Sequence, residues 1–281
     1  MKKTFIPLII IMITLIFSGC SKSSSNTADS GKSSNNSSNK KIVLKVAADP
    51  VPHAELLNLV KPKLEKEGIE LQIIVLDSSS DALANEQTNN GEYDVNFFQH
   101  EPYLDSVKKE KGYDLASAGK IHIEPIGFYS VKYKTKSEIP DNAKIVIPND
   151  ATNEYRALKL LEDNGFIKIK PTIQNFSATV NDIEKYIKPI KITEMDSANI
   201  IRVRDQFDGY ITNTNKILDA GIDANTALFR EGKDSPYANI LVTKTSRVND
   251  PAIVKLREAL QSDEVRKFIE KKYKGAVVPA F

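Results

Sequence analysis

The stretch "KIVLKVAADPVPHAELLNLVKPKLEKEGIELQIIVLD" (residues 41–77) contains the pattern that decides the fold. Residues 41–48 are an apolar, β-branched run that predicts a buried strand, and residues 69–77 predict a second one. Gly68 is placed to end a helix between them, and Pro62 is expected to kink or split that helix. The helix is indicated by apolar side chains at helical spacing: Leu56, Leu57, Val60 and Leu64. A β-α-β unit of this kind predicts a parallel sheet with helices on its faces.

The same alternation of strands and helices continues along the chain. Residues 152–165 predict a helix, and the C-terminal segment predicts helix, with Asp250 as its cap and Pro251 in its first turn. Further strands are predicted at 143–150, 189–196, 207–213 and 238–244. Two α/β sheets joined by strand-like crossovers predict two lobes with a cleft between them. Ligands of open α/β sheets bind beyond the carboxyl ends of the strands.

The N-terminus predicts a secreted, lipid-anchored protein. Residues 1–19 read as a signal peptide, because Lys2 and Lys3 precede an apolar run too short to span a bilayer. The stretch "IFSGC" is similar to the bacterial lipobox, in which the cysteine carries the lipid. Cys20 is the only cysteine, which excludes an internal disulfide. Residues 20–39 are therefore expected to be the lipidated Cys20 and a flexible Ser/Asn-rich tether, held firmly at the membrane by at least two acyl chains.

The charge of the chain gives no indication of nucleic-acid binding. It has 39 Lys and Arg against 37 Asp and Glu, and removal of the signal peptide with its two lysines leaves a net charge of zero. Nucleic-acid-binding domains usually carry a basic excess. An enzyme is not favoured either, because no Ser/His/Asp arrangement and no phosphate loop is found in the sequence. No cofactor is predicted.

The stretch "IPNDATNEYRALKLL" (147–161) is the first candidate binding segment. A strand leads through a turn into a helix that is expected to begin near Thr152 or Asn153. Arg156 would then lie in the first helical turn, where backbone N–H groups and a guanidinium together could receive a carboxylate. The alternative is an ordinary helix cap with a surface arginine, which the spacing alone favours.

Two asparagines at strand ends are further candidates. Asn213 ends a predicted strand and is followed by Asn215, and Asn239 opens a later strand. Amides at strand ends can bind a small polar ligand, although turns also use asparagine routinely.

The aromatic stretch "NFFQHEPYLD" (96–105) is the last candidate. Phe97 and Phe98 face opposite sides of a strand, so one can enter the core while the other lines a cleft with His100. Tyr103 is expected to start the next helix. Such a wall suits an apolar or thioether side chain, but the composition alone slightly favours an ordinary buried cluster.

The sequence also leaves two alternatives to a small-molecule receptor. His53, His100 and His122 could converge with a carboxylate and bind a metal such as zinc. A surface adhesion module without a small-molecule ligand is the other alternative.

Taken together, the lipobox, "VPHAELL", "FFQHEPYL", "PNDATNEYR", "NTN" and "DSPYANILVT" resemble the NlpA/MetQ lipoproteins, the methionine-binding receptors of ABC importers. The resemblance covers residues 41–281 and implies an α/β, two-lobe type II periplasmic-binding-protein fold with ligand in the interlobe cleft. Lobe 1 would comprise 40–126 plus 235–281, and lobe 2 residues 127–234. The implied partners are an ABC permease and ATPase, and the protein would be a monomer on the extracytoplasmic face of the cell membrane.

The resemblance also assigns roles to the candidate residues. Phe98, His100 and Tyr103 would line the pocket for the ligand side chain. Arg156 and Asn153 would hold the ligand carboxylate, and Asn213 and Asn239 would bond the other backbone groups.

The segment "LDSSSDALANEQ" departs from the family pattern. Ser80 or Asp81 stands where the family carries a tyrosine on the ligand, while Asn85 matches the family's asparagine. The ligand could accordingly be L-methionine, D-methionine, a methionine-containing dipeptide or another amino acid.

Overall fold

The β-α-β unit predicted at 41–77 is present in the structure. In this computed structural model, which describes residues 41–77, 81–171, 176–232 and 234–281, the strand Ile42–Ala48 pairs in parallel with the strand Ile69–Val75. The helix Glu55–Lys66 connects them. The calls on the signal peptide, Cys20, the tether and Ser80 lie outside the described residues.

Pro62 does not split the first helix, although splitting was one of the two outcomes expected from the sequence. The helix runs through Pro62 as one element. Proline has no N–H, so the carbonyl of Asn58, four residues earlier, lacks its usual helical donor. Pro62 and Asn58 both lie on the exposed face of the helix. Water can therefore satisfy the carbonyl that the proline leaves without a donor.

The remaining elements follow the alternating pattern. The helices are α1 (Glu55–Lys66), α2 (Asp81–Asn90), α3 (Glu101–Lys111), α4 (Ala151–Asp163), α5 (Ser197–Val203), α6 (Thr214–Asp219), α7 (Pro251–Leu260) and α8 (Asp263–Tyr273). The strands are β1 (Ile42–Ala48), β2 (Ile69–Val75), β3 (Val95–Phe97), β4 (Leu115–Ile123), β5 (Gly127–Tyr129), β6 (Ala143–Pro148), β7 (Ile167–Ile169), β8 (Ile183–Tyr186), β9 (Ile190–Met195), β10 (Gly209–Thr212), β11 (Phe229–Arg230), β12 (Ala238–Lys244) and β13 (Val278–Pro279).

The strands form two main sheets. A six-stranded sheet has the order β13-β4-β12-β3-β1-β2, and a five-stranded sheet has the order β11-β5-β10-β6-β9. Strands β7 and β8 make a separate antiparallel pair. The chain passes from the first sheet to the second between β4 and β5, and returns between β11 and β12. The predicted lobe limits, 126/127 and 234/235, fall in these two connections.

The C-terminal helical segment is two helices rather than one. Asp250 caps α7 as predicted, since its carboxylate accepts a hydrogen bond from the Ala252 N–H at 3.0 Å. Ser262 then caps α8, so the chain turns between Leu260 and Asp263. Both helices bury their apolar faces in the core of the six-stranded sheet, with Leu256 and Ile269 fully buried.

Each sheet has a core of its own. Leu44, Leu57 and Leu241 belong to the first core, and Ile145, Leu158 and Phe166 to the second. Val146 and Tyr210 of the five-stranded sheet pack into the first core, which ties the two halves together. Within the described ranges, no helix combines the length and apolar character needed to cross a bilayer.

Candidate ligand-binding cavity

A cavity of about 300 Å³ is lined by residues from the elements of both sheets. Six of the seven predicted binding residues line it: Phe98, His100, Tyr103, Asn153, Asn213 and Asn239. The lining contains seven carboxamide side chains and five charged ones, so the cavity is polar apart from its aromatic wall. Its size and mixed lining are typical of small-molecule sites.

The aromatic wall is divided as the sequence predicted. Phe97 is fully buried in the core and packs edge-on against His53, with ring centroids 4.6 Å apart. Phe98 faces the cavity instead, where its ring centroid lies 6.3 Å from that of Tyr103. Tyr103 does not start the helix, because α3 begins at Glu101 with His100 as its cap.

His100 is held in one tautomer by two hydrogen bonds. Its Nδ1 accepts from the Tyr103 backbone N–H at 3.2 Å, so the proton is on Nε2. Nε2 lies 3.1 Å from Asn153 Oδ1 and donates to it across the cavity. Burial and the positive charge of Arg156 lower the pKa of His100 to about 3. His100 is therefore a neutral hydrogen-bond donor at pH 7.

Helix α4 begins at Ala151, one residue before the Thr152 start expected from the sequence. Its cap is Asp150, whose carboxylate accepts from the Asn153 backbone N–H at 3.0 Å. The Asn153 side-chain amide also donates to Asp150, at 3.0 Å. Its Oδ1 accepts from Asn213 Nδ2 at 3.1 Å, in addition to the bond from His100. Asn153 thus joins both walls of the cavity.

Arg156 is consequently the sixth residue of α4 rather than part of its first turn. Its side chain is 1% exposed and does not belong to the cavity lining. Nε and Nη2 donate to the two carboxylate oxygens of Glu231, at 2.7 and 2.6 Å. Nη2 also donates to the backbone oxygen of Glu124 at 2.7 Å. The guanidinium lies 4.3 Å from the centroid of the Tyr237 ring, which in turn contacts His100.

Asn239 connects the cavity to a buried polar cluster of His53, His122 and Glu124. Asn239 Oδ1 accepts from His53 Nε2 at 3.1 Å. His122 Nε2 lies 2.7 Å from Glu124 Oε1. Burial lowers the pKa of His53 to about 4 and that of His122 to about 3, so both rings are neutral at pH 7.

The predicted convergence of three histidines is only partly observed. His53, His122 and Glu124 offer donor atoms within 4.8 Å of one another, as a metal site would require. His100 is not part of this group, since its Nε2 is directed to Asn153. The Nε2 atoms of His53 and His122 are engaged in hydrogen bonds to Asn239 and Glu124.

Asn85, the residue matched to the family's asparagine, does not line the cavity but hydrogen-bonds a residue that does. It is buried, and its Nδ2 donates to Gln99 Oε1 at 3.0 Å. Gln99 lines the cavity and also donates to Asn96 at 2.8 Å. This network fixes the strand end that carries Phe98.

Sequence reasoning missed Glu124, Asp196, Arg202 and Lys216 in the lining. A signal was present for Glu124 only. It follows a strand with a buried histidine in "KIHIEP" and precedes a proline, which places a carboxylate at a strand end.

A family model described as NlpA lipoprotein matches residues 44–281. The chain belongs to the NlpA lipoprotein family. Among relatives of this NlpA chain, the methionine-binding lipoprotein MetQ of Bacillus subtilis is 33% identical, with 99% of each chain covered.

Two solved structures similar to this NlpA chain indicate its fold. A nutrient-binding protein from Burkholderia cenocepacia, bound to methionine, is 39% identical with a TM-score of 0.80, covering 85% of this chain and 100% of that one. An ABC transporter periplasmic substrate-binding protein from Coxiella burnetii is 34% identical with a TM-score of 0.78, covering 84% and 100%. The predicted α/β fold of the type II periplasmic-binding-protein class is confirmed.

Proposed function

We propose that this protein is the lipid-anchored substrate-binding protein of an ABC importer and binds methionine or a related amino acid. The observation that carries the proposal is the cavity, which has an aromatic wall on the six-stranded sheet and carboxamides contributed by both sheets. The substrate-binding relatives, one of them bound to methionine, support it. They favour this function over a metal receptor or an adhesion module, and no catalytic activity is proposed.

The ligand side chain would lie against Phe98 and Tyr103. A thioether suits this wall, since sulfur–aromatic contacts contribute about 0.3–1.5 kcal/mol. His100, Asn153, Asn213 and Asn239 would hydrogen-bond the polar end of the ligand. L-Methionine is the first candidate, followed by D-methionine, a methionine-containing dipeptide and other amino acids.

Arg156 would supply the positive charge for the ligand carboxylate. Its guanidinium lies one side chain behind the cavity wall, and its charge contributes to the low pKa of His100. A ligand carboxylate would compete with Glu231 for this guanidinium. The fork geometry of arginine suits either carboxylate.

The two sheets would be the two lobes, 40–126 plus 235–281 and 127–234, that close on the ligand. A ligand that contacts both lobes stabilises the closed arrangement. Cys20 would anchor the protein on the extracytoplasmic face, where it would act as a monomer and deliver ligand to a permease and its ATPase.

Titration calorimetry on the purified protein tests the function. Heat on addition of L-methionine, with a weaker or absent response to zinc, is expected. Heat with zinc alone would favour the metal receptor, and heat with neither would favour the adhesion module. Native mass spectrometry of freshly purified protein would then identify any retained ligand among the candidates.

A further inference from the structure

Two pairs of lysines face each other across neighbouring strands in the second half of the molecule. Lys168 of β7 is directly opposite Lys185 of β8, and Lys144 of β6 is directly opposite Lys191 of β9. All four residues are exposed. Residues in register on adjacent strands point to the same side, and like charges placed opposite each other destabilise a sheet. The fold therefore contains two repulsive pairs that its own stability does not explain.

The positive charges of these pairs are not neutralised locally. Within the described ranges, none of the four ammonium groups forms an ion pair. Glu162 feels the charge of Lys168, but it pairs with Lys159 at 2.7 Å. Lys188, which lies between the two pairs in the chain, is matched by Asp141 at 3.2 Å. The four opposed charges are therefore available to an anionic partner.

The connection between β8 and β9 joins the two lysine pairs into one surface. The N–H groups of Ile187 and Lys188 both donate to the Phe166 oxygen, just before β7, at 2.9 and 3.0 Å. Asn142, just before β6, donates its N–H to the Pro189 oxygen at 2.6 Å. We call the resulting area the lysine surface, and it consists of Lys144, Lys168, residues 184–188 and Lys191.

Two large apolar side chains are exposed within the lysine surface. Tyr186 is 45% exposed and Ile187 is 55% exposed. In the run "EKYIK" (184–188) they stand between Lys185 and Lys188, with Glu184 as the single acid. Exposed apolar side chains among lysines suit the boundary of an anionic bilayer, where the apolar groups enter the headgroup layer and the ammonium groups approach the phosphates.

The lysine surface lies at the end of the five-stranded sheet that is away from the cavity. Lys144 and Lys191 are the second residues of β6 and β9. Asn149 and Asp196, which follow the carboxyl ends of the same two strands, line the cavity. Five strand residues span roughly 17 Å. A flat partner can therefore cover the lysine surface without closing the cavity.

We propose that the lysine surface binds the anionic face of a phospholipid membrane, with Tyr186 and Ile187 among the headgroups and the opposed lysines beside lipid phosphates. This inference rests on the proposed function for the lipid anchor alone. With Cys20 in the membrane, residues 21–40 cannot carry the fold more than roughly 70 Å from the lipid, even fully extended. This limit raises the effective concentration of the lysine surface at the membrane, so contacts that are individually weak suffice.

Co-sedimentation with lipid vesicles tests the proposal. The parent protein is the mature chain, residues 20–281, with Cys20→Ser, so that no lipid anchor contributes to binding. At low ionic strength it should bind vesicles containing phosphatidylglycerol at least about tenfold more tightly than vesicles of phosphatidylcholine alone, and high salt should abolish the difference. Lys168→Gln combined with Lys185→Gln should weaken binding to the anionic vesicles at least about tenfold. Ile187→Ser should weaken it about threefold or more and leave the salt dependence unchanged.

The matched control is Lys63→Gln combined with Lys66→Gln, which removes the same charge from exposed positions of α1. This control should bind both kinds of vesicle as the parent does. The Lys168 and Lys185 double variant should unfold at a thermal midpoint no lower than that of the parent, because it relieves a repulsion. A loss of vesicle binding in it would then not reflect misfolding.

Equal binding of the parent to the two kinds of vesicle, or binding to neither, would overturn the proposal. Equal weakening by the two double variants would also overturn it, since net charge rather than the lysine surface would then be responsible. Methionine calorimetry on the same proteins is an independent measurement. If the parent binds the anionic vesicles but not methionine, the proposed ligand is wrong and the membrane-binding surface stands.

Discussion

The position of Arg156 in α4 depends on which neighbouring side chain caps the helix. The sequence "NDATNEYR" offers four capping side chains within five positions, Asn149, Asp150, Thr152 and Asn153. Asp150 is the cap because its carboxylate accepts both the backbone and the side-chain N–H groups of Asn153. The earlier start moves Arg156 into the buried second turn, where Glu231 pairs with it. Propensity alone does not rank these caps, since aspartate and asparagine are about equally favoured.

Arg156→Ala is expected to weaken methionine binding by at least about 30-fold, which corresponds to roughly 2 kcal/mol. The variant removes the positive charge proposed to receive the ligand carboxylate. Lys159→Ala is the control, since it removes a cation from the same helix that pairs with Glu162 and Asp163 at the surface. Calorimetry is the measurement, with circular dichroism to verify folding. A folded Arg156→Ala protein with near wild-type affinity would exclude Arg156 from the site.

The free energy of unfolding should fall as the pH is lowered from 7 to 5. The pKa values of His53, His100 and His122 are lowered from 6.5 to between about 3 and 4. Between those values and 6.5 the unfolded chain holds more protons than the folded one, so acid favours unfolding. At pH 5 each histidine accounts for a loss of roughly 2 kcal/mol. Burial raises the pKa values of Glu124 and Glu154, which opposes the loss.

Urea unfolding of the wild-type protein and of His100→Gln at both pH values tests this prediction. The variant should lose less stability between pH 7 and pH 5, because one of the three buried rings is absent. Equal losses in the two proteins would mean that His100 takes up its proton normally in the folded state.

At the scale of elements, the sequence predicted β1, β2, β6, β9, β10 and β12 but gave no bounds for the nine-residue strand β4 or the helix α2. The strand predicted at 238–244 is β12 to the residue, and its sequence signal is the apolar run of Ile240, Leu241 and Val242. Strands β3, β5, β11 and β13 have only two or three residues, too few to show a period. Their pairing is determined by neighbours distant in the chain. Likewise, six of the seven predicted binding residues line the cavity, but the sequence contained no signal for the pairing of Arg156 with Glu231.

Gly209→Ala should destabilise the fold by about 1–3 kcal/mol through overpacking. A Cβ at this position, the start of β10, would lie 2.1 Å from Phe128 Cζ on the neighbouring strand β5. Phe128 is buried and stacks on Phe229, so it has little room to move. Gly232→Ala is the control, since an added Cβ there meets nothing within 4 Å. Thermal unfolding should show a lower midpoint for the first variant only, and equal midpoints would contradict the close packing of β5 on β10.

At the scale of the whole molecule, methionine should make the protein more compact. The cavity is lined from both sheets, and His100 already donates to Asn153 across it. Small-angle scattering should show a smaller radius of gyration with saturating methionine than without. Calorimetry on the same sample should confirm that methionine binds. An unchanged radius of gyration would then mean that the lobes are closed before the ligand arrives.

The chain enters the described fold through β1 and leaves it through β13, and both strands belong to the six-stranded sheet. A probe attached at Lys41, next to β1, or at the C-terminus therefore travels with the same half of the molecule. A dye pair placed at these two positions would be insensitive to lobe movement. With one dye at the C-terminus and another on the turn before β8, the distance between the dyes would report movement of the second lobe relative to the six-stranded sheet.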